Sequence, residues 1–450
     1  MTNIILFATD DHGAWAMGCA GNRDIRTPNL DRLAHEGAYM ENAFSPTPVC
    51  SPARANMLTG RTASQHGVHD YLAGGAFHEK DWLAGQETLA DLLVAQGYRT
   101  GLVGKWHLGR DTEPQHGFQD WFSLAGDYPI DTLGPARWSR NGRIEWREGP
   151  KADIITDATV DFITQADDRP FFLFVGHVST HSEWSGHPEA LVDTYRGCTF
   201  ADVPQDAEWP FGVQNLESRD LIDRSNPREA LAQYYAAVTS IDSGVGRVLD
   251  ALEAQGVRED TLVVYTSDHG LNCGHHGIWG KGNGTLPLNM VEETIRVPLI
   301  LSQPRTIPSG QRRSEFVDHL DLFQTLLRYG GAKAPALELA GQDFMPMLRR
   351  AEMDWRSLQF CEYGDLRMVR SPRWKLLEFP DRRVELFDLE NDPGETRDLS
   401  RDASNAAIIA GLKGALDTYY ARYSTPEHAA RRPGGPEPTN QSAPWVKQPA

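Results

Sequence analysis

The sequence predicts an α/β protein: a large, mostly parallel sheet sandwiched by helices, followed by a smaller unit built on an antiparallel sheet. Three observations carry that expectation. Continuous apolar runs of strand length alternate with amphipathic runs, the pattern of strands buried on both faces and joined by crossover helices. Several strand-like runs end in residues able to do chemistry, and open parallel sheets bind their ligands at the carboxyl ends of the strands. After about residue 340 the texture changes to short alternating segments between turns, which suits antiparallel pairs.

The elements follow in order. "NIILFAT" (3–9) is a continuous apolar strand. In "TPNLDRLAHEG" (27–37), Thr27 is placed as N-cap, Pro28 as the first helical residue and Gly37 as the stop. The amphipathic "ETLADLLVAQG" (87–97) closes on Gly97 and feeds the strand "RTGLVG" (99–104). "PFFLFVGHV" (170–178) is another buried strand, and a long helix over 228–256 leads into the strand "TLVVYTSD" (261–268). "VPLILS" (297–302) and the helix "HLDLFQTLLRYGG" (319–331) complete the first unit. Beyond it, "LQFCEYG", "LRMVRSP", "WKLLEFP" and "VELFDLE" are the short strands, with a helix expected around 403–422. We place an α/β domain over 1–340, an α+β unit over 341–424, and a Pro-rich tail over 425–450 that reads as extended or mobile chain.

The 450 residues suit one large domain plus a smaller one, and 40% hydrophobic against 24% charged residues describes a globular chain with a substantial core. No run approaches the ~18 apolar residues of a membrane span. The first residues lack the basic and apolar regions of a secretory signal, so the expectation is a cytoplasmic protein. With 62 acidic against 44 basic residues the formal charge is −18, which argues against nucleic acid as a partner while leaving room for a small anion in a local basic pocket. The five cysteines (Cys19, Cys50, Cys198, Cys273, Cys361) are scattered and form no C-x-x-C pair, so neither a disulfide framework nor a zinc site is expected.

Chemistry-bearing residues gather at the predicted strand ends. Asp10 and Asp11 follow the first strand, Lys105 and His107 follow "GLVG", His181 follows "FFLFVGHV", and Asp268 and His269 follow "LVVYTS". Adjacent aspartates repel and need a compensating cation when buried. Three carboxylates and an imidazole make a donor set for calcium, magnesium or manganese. In "PVCSPARANMLTGR" (48–61), Ser51 is placed to cap a helix, with Pro52 at its first position. Cys50 is then expected just outside the N-terminus, where orphan N–H groups favour an anion, and Arg54 one turn in. From the residues alone, Cys50 is a low-pKa thiolate nucleophile.

"CSPAR" followed by "LTGR" closely resembles the signature of type I sulfatases, in the alkaline-phosphatase-like superfamily. The resemblance runs in order along most of the chain, through "TDDHGAWAMGCAGN", "TPNLDRLAHEG", "GYRTGLVGKWHLG", "SDHG", "WGKG", "RVPLI" and "ELFDLENDPGE". It implies that Cys50 is oxidised to formylglycine (3-oxoalanine) by a separate formylglycine-generating enzyme, the maturation partner. It further implies one divalent cation, Ca2+ first with Mn2+ or Mg2+ as alternatives, held by Asp10, Asp11, Asp268, His269 and residue 50. In the implied reaction the hydrated aldehyde attacks sulfur, Arg54 stabilises its alkoxide, and Lys105 and Lys281 clamp the sulfate. His181 serves the leaving alcohol as acid, and His107 is the base that releases sulfate.

The expected activity is hydrolysis of a sulfate ester of a small anionic organosulfate: a sulfated sugar, alkyl or aryl ester. His269 stands where many sulfatases have Asn, which keeps open a formylglycine-dependent phosphonate monoester or phosphodiester hydrolase. His177 is the local competitor of His181, and His275 and His276 either line the mouth or cap a turn. Specificity is expected from loops at 70–85, 125–150 and 183–225 and from "CEYGDLRMVRSPRWK"; "ARWSRNGRIEW" and the tail are the candidate contacts of a homo-oligomer.

Overall fold

The structure is a computed structural model that describes residues 2–126, 134–182, 184–214, 226–437 and 439. Strand β1 (Asn3–Thr9) divides its side chains between two hydrophobic layers: Ile4, Leu6 and Ala8 enter one, Ile5 and Phe7 the other. Both faces are apolar because helices cover both, which is why the run reads as continuous rather than alternating. Around it lie β2 (Ala38–Met40), β3 (Arg99–Gly104), β4 (Asp120–Leu124), β5 (Ala136–Arg140) and β6 (Arg143–Arg147). The sheet is completed by β7 (Phe171–Gly176), β8 (Thr261–Ser267), β9 (Leu299–Ser302) and β10 (Gln311–Arg313).

These ten strands form one sheet in the order β10-β2-β9-β8-β1-β7-β3-β4-β5-β6. Its centre, β8-β1-β7-β3-β4, is parallel. Strand β9 runs antiparallel to both neighbours, and β4-β5-β6 is an antiparallel meander. Helices α1 (Pro28–His35), α3 (Lys151–Thr164) and α4 (Pro227–Ala254) bury Leu30, Leu33, Ile155, Phe162, Val245 and Leu249 against one face. On the other face, α2 (Cys50–Thr59) and α5 (His319–Tyr329) supply Ala55, Met57, Leu58, Leu322, Phe323 and Leu326. Among the described residues no helix is long and apolar enough to cross a membrane.

The C-terminal sheet is β11 (Gln359–Tyr363), β12 (Leu366–Arg370), β13 (Trp374–Glu378) and β14 (Val384–Asp388), antiparallel in chain order. One face takes Leu412, Leu416 and Tyr420 of α6 (Ala406–Arg422); the other puts Tyr363, Met368 and Leu377 against Phe44, Val49 and Met290 of the large domain. A charged seam flanks that contact: Lys375 pairs with Glu292 and Glu395 at 2.9 and 2.7 Å, and His276 with Glu293.

After α6 the described residues 423–437 and 439 run through turns and bends and are tied down; the rest of the Pro-rich tail, 438 and 440–450, lies outside the described residues. Thr425 N donates to Ser64 O at 2.9 Å, His69 Nε2 donates to the His428 carbonyl at 2.7 Å, and Arg431 pairs with Glu378. The composition that suggested mobility is polar, and these polar groups find partners on the large domain and, for Arg431, on β13 of the C-terminal unit.

Candidate active site

The carboxyl ends of β1, β3, β7 and β8 open on one edge of the sheet, so Asp10, Asp11, Lys105, His107, His181, Asp268 and His269 converge as the sequence predicts. Lys281 enters from the turn after Trp279–Gly280, and Cys50 and Arg54 from the first turns of α2. All ten site residues fall in the described part of the chain.

The pocket is densely charged. Lys105 Nζ donates to Asp10 Oδ2 at 2.5 Å; Lys281 Nζ donates to Asp11 Oδ1 at 2.7 Å and lies 3.1 Å from Cys50 Sγ. Cys50 Sγ is 3.3 Å from Asp10 Oδ1 and 3.4 Å from His269 Nε2. Arg54, with no exposed surface, donates from Nε to Asp268 Oδ2 at 3.2 Å and from NH1 to the Lys105 carbonyl at 2.9 Å, and its NH2 lies 3.1 Å from the same Asp268 oxygen as an ion pair. Burying so many charges is tolerable only with this interlocking pairing.

Ligand atoms of Asp10, Asp11, Cys50 and His269 lie within 4.8 Å of one another, all buried. Asp268 stands beside them, with Oδ1 3.3 Å from His269 Nε2 and Oδ2 committed to Arg54. The electrostatics match a site built for added positive charge. Burial and then Asp10 push Asp268 up, the mark of carboxylates crowded beyond what the lysines neutralise. Burial opposes charging His269, yet Asp268 and Asp11 lift it to about 9. Burial favours the Cys50 thiol, but Lys105, Lys281 and His269 hold its pKa well below the ordinary value. Two hard carboxylates, an imidazole and residue 50 therefore fit one divalent cation.

The two remaining histidines differ in state. His107 Nε2 donates to the Leu72 carbonyl at 2.8 Å, which leaves Nδ1 as the basic nitrogen, and burial followed by Lys105 lowers its pKa to about 4. His181 Nδ1 donates to Ser182 O at 2.6 Å, and Nε2 lies 4.0 Å from Asp11 Oδ2. Burial works against its charged form, but Asp11 raises its pKa overall. His177 is instead buried, stacked on Phe7 at 6.3 Å and pushed down to about 3 by burial, so it leaves the site to His181. His276 belongs to the seam with the C-terminal unit, its Nδ1 2.9 Å from Gly394 O, and His275 packs on Trp15.

One local expectation is corrected. Val49, extended, is the N-cap of α2, and Cys50 lies inside the first turn rather than just outside it. The Ser51 hydroxyl caps nothing; it accepts from Leu72 N at 3.1 Å. The groups that sequence reasoning missed are Leu72, Asp70 and Tyr363, the last two joined by a hydrogen bond across 293 residues of chain. No spacing could have linked them. Of the loops expected to set specificity, residues 127–133, 183 and 215–225 lie outside the described residues.

The chain is similar to known proteins along most of its length. The sulfatase family profile matches residues 2–332, and that of the N-sulphoglucosamine sulphohydrolase C-terminal unit matches 274–422. N-acetylglucosamine-6-O-sulfatase of Bacteroides thetaiotaomicron is 28% identical, over 94% of this chain and 86% of its own. N-acetylgalactosamine-6-sulfatase of Mus musculus is 29% identical, over 83% and 71%. A structure solved with its substrate D-glucosamine-2-N,6-O-disulfate superposes with a TM-score of 0.76 at 25% identity, covering 94% of this chain and 98% of the other. The phosphonate monoester hydrolase of Agrobacterium radiobacter, at 22% identity and a TM-score of 0.74 over 94% and 96%, shares the fold. With a profile spanning most of the chain laid over this buried cluster, the protein belongs to the sulfatase family, the sulfuric ester hydrolases of the alkaline-phosphatase-like superfamily.

Proposed function

We propose that the enzyme hydrolyses a sulfate ester on a small sulfated sugar, releasing the alcohol and inorganic sulfate, with residue 50 acting as formylglycine beside one divalent cation, calcium first. The observation that carries this reading is Cys50 within 3.4 Å of Asp10 and His269 and 3.1 Å of Lys281, inside a "CSPAR" tag. The names of the sugar sulfatases it resembles support the substrate class.

When bound, the cation supplies Lewis-acid charge and the aldehyde hydrate supplies the attacking hydroxyl. The chain's own groups do the rest. Lys105 and Lys281 bring two ammonium groups to the place where sulfate oxygens would sit. Arg54 fixes Asp268 and keeps the pocket floor rigid through the Lys105 carbonyl. His181, the most open of these side chains at 31% exposed and raised in pKa, holds its proton at Nε2 for the departing alcohol oxygen. His107, neutral and fixed at Nε2, offers Nδ1 as the base for the step that frees sulfate.

Cys50 is 2% exposed and Arg54 fully buried, so the formylglycine-generating enzyme, the proposed maturation partner, must read the tag before folding closes over it. The cytoplasmic placement is part of this reading, supported by Cys19, Cys198, Cys273 and Cys361, none of them in a disulfide among the described residues; cell fractionation tests it. The deciding experiment combines mass spectrometry of the residue 50 peptide with turnover on 6-O-sulfated N-acetylhexosamines and on matched aryl sulfate and aryl phosphonate esters. An aldehyde at residue 50 with sulfate release is expected. An unmodified thiol in active enzyme, or faster cleavage of the phosphonate, overturns the reading.

A further inference from the structure

We infer that His428 and Thr439, of the chain that follows α6 (here the strap), and the β11–β12 hairpin are positioning elements for the imidazole of His107, acting through the loop Asp70–Ala73. The inference rests on the base role given to His107 above, and its support is a chain of hydrogen bonds that runs from the His107 ring to remote parts of the chain.

A carbonyl can only accept, so the bond from His107 Nε2 to Leu72 O at 2.8 Å fixes which ring nitrogen carries the proton. The position of that carbonyl therefore decides whether Nδ1 is the basic nitrogen. Yet Leu72 sits in a stretch, residues 67–73, with no helix or strand to place it. The loop is held instead by side chains and by remote chain. Leu72 N donates to Ser51 Oγ at 3.1 Å, tying it to the turn that carries Cys50. Asp70 accepts from the Tyr363 phenol, at the tip of the β11–β12 hairpin. His69 Nε2 donates to the His428 carbonyl at 2.7 Å. Thr439 brackets Leu72 on both sides: its hydroxyl donates to Tyr71 O at 3.2 Å, and its carbonyl accepts from Ala73 N at 3.4 Å. His69, Asp70, Tyr363 and Thr439 are all at most 1% exposed.

Three of these restraints join residues 293, 359 and 368 positions apart. A loop needing only to pack could be held by neighbours in sequence at a smaller entropic cost. Here Thr439 of the described chain reaches back to the large domain and contacts the peptide unit that carries the Leu72 carbonyl and the one before it. Such a return would place the tautomer of His107 under the control of the C-terminal unit.

The test uses full-length Thr439→Val and Tyr363→Phe, with Thr439→Ser as the conservative control that keeps the hydroxyl. The primary readout is the ring nitrogen signals of His107 in protein labelled with 15N-histidine, assigned by His107→Gln. The parent protein is expected to show one tautomer with the proton on Nε2, and Thr439→Val and Tyr363→Phe a mixture of both. On sulfate-ester substrate, kcat is expected to fall about 10- to 100-fold with KM little changed, the scale of lost outer partners, while Thr439→Ser matches the parent. A single unchanged tautomer in both variants, or a fall in KM and kcat that tracks thermal midpoint alone, overturns the proposal and makes the strap a packing element. Should Tyr363→Phe fold poorly with Asp70 left buried, Thr439→Val still decides. The tautomer readout needs no turnover, so a failure of the sulfatase reading is seen separately.

Discussion

The seam between the two units makes a pH prediction with a worked magnitude. His276, buried, and Glu293, partly exposed, form an ion pair beside which the C-terminal unit is fastened, since His276 Nδ1 also donates to Gly394 O at 2.9 Å. Burial alone would lower the His276 pKa, but Glu293 raises it from 6.5 to about 9. A group whose folded pKa is raised lends stability in full below its unfolded value and loses it as pH climbs through the folded one. The gap, at 1.36 kcal/mol for each tenfold, amounts to about 3 kcal/mol, present below pH 6.5 and gone above about pH 9. Glu293, held near 2 against burial by the same His276, adds the mirror effect on the acid side, lost as pH falls from 4.5 towards 2. The perturbation is His276→Asn, chosen because His276 has φ of 55° and Asn tolerates that left-handed conformation. Urea unfolding followed by tryptophan fluorescence at pH 6, 8 and 10 should show the variant about 3 kcal/mol weaker at pH 6 and the difference shrinking towards pH 10. Parallel loss of stability in both proteins from pH 6 to 10 would refute the pairing argument.

Three further outcomes concern the pocket. His181→Gln should slow hydrolysis of sugar sulfates about 100- to 10,000-fold but spare 4-nitrophenyl sulfate, whose leaving group needs no proton; equal losses on both count against His181 as acid. Calcium or manganese at about 100 times its Kd should stabilise the parent by about 2.7 kcal/mol, and Asp10→Asn should abolish that shift in a thermal or urea titration; an unchanged shift moves the cation elsewhere. Because Lys105 and Lys281 neutralise Asp10 and Asp11 in the structure, a cation taking over those carboxylates should free both ammonium groups for an anion. Inorganic sulfate should then bind more tightly with cation than with chelator, by the 5- to 150-fold of about 1–3 kcal/mol coupling; independent binding in calorimetry refutes that exchange.

Much of this was legible in the sequence because it is local. The strands 3–9, 99–104 and 261–267 are apolar on both faces, and the polar residues that end them are placed by the sheet alone. The orientation of β9 was not legible, since an apolar run of four residues reads the same in either direction. The cap of α2 was misplaced for a different reason. Ser51 and Pro52 carry strong helix-start preferences, but Ser51 is claimed by Leu72 from outside the helix, and tertiary hydrogen bonding overrides the local rule. For residues 425–437 and 439, polar, Pro-rich composition gives no sign of the partners they meet at Ser64, His69 and Tyr71.

Convergence of strand ends explains where the reactive groups are but not why they hold their orientation. Asp11 and His107 both adopt φ of 60°, a left-handed conformation that costs a residue with a Cβ on the order of 1–3 kcal/mol. Such strain persists only where the surroundings over-determine it, and they do so from opposite sides of the sheet. On one side, Tyr234 of α4 donates its hydroxyl to the Asp11 carbonyl at 3.0 Å and accepts from Gly13 N at 3.0 Å, while Thr180 Oγ1 holds the Asp10 carbonyl at 2.5 Å. On the other, the His107 ring is locked to Leu72, itself pinned to α2 and flanked by the strap. The sheet thus sets position, and the layers on its two faces set direction: one holds Asp11 beside Asp10, the other holds the His107 ring against Leu72.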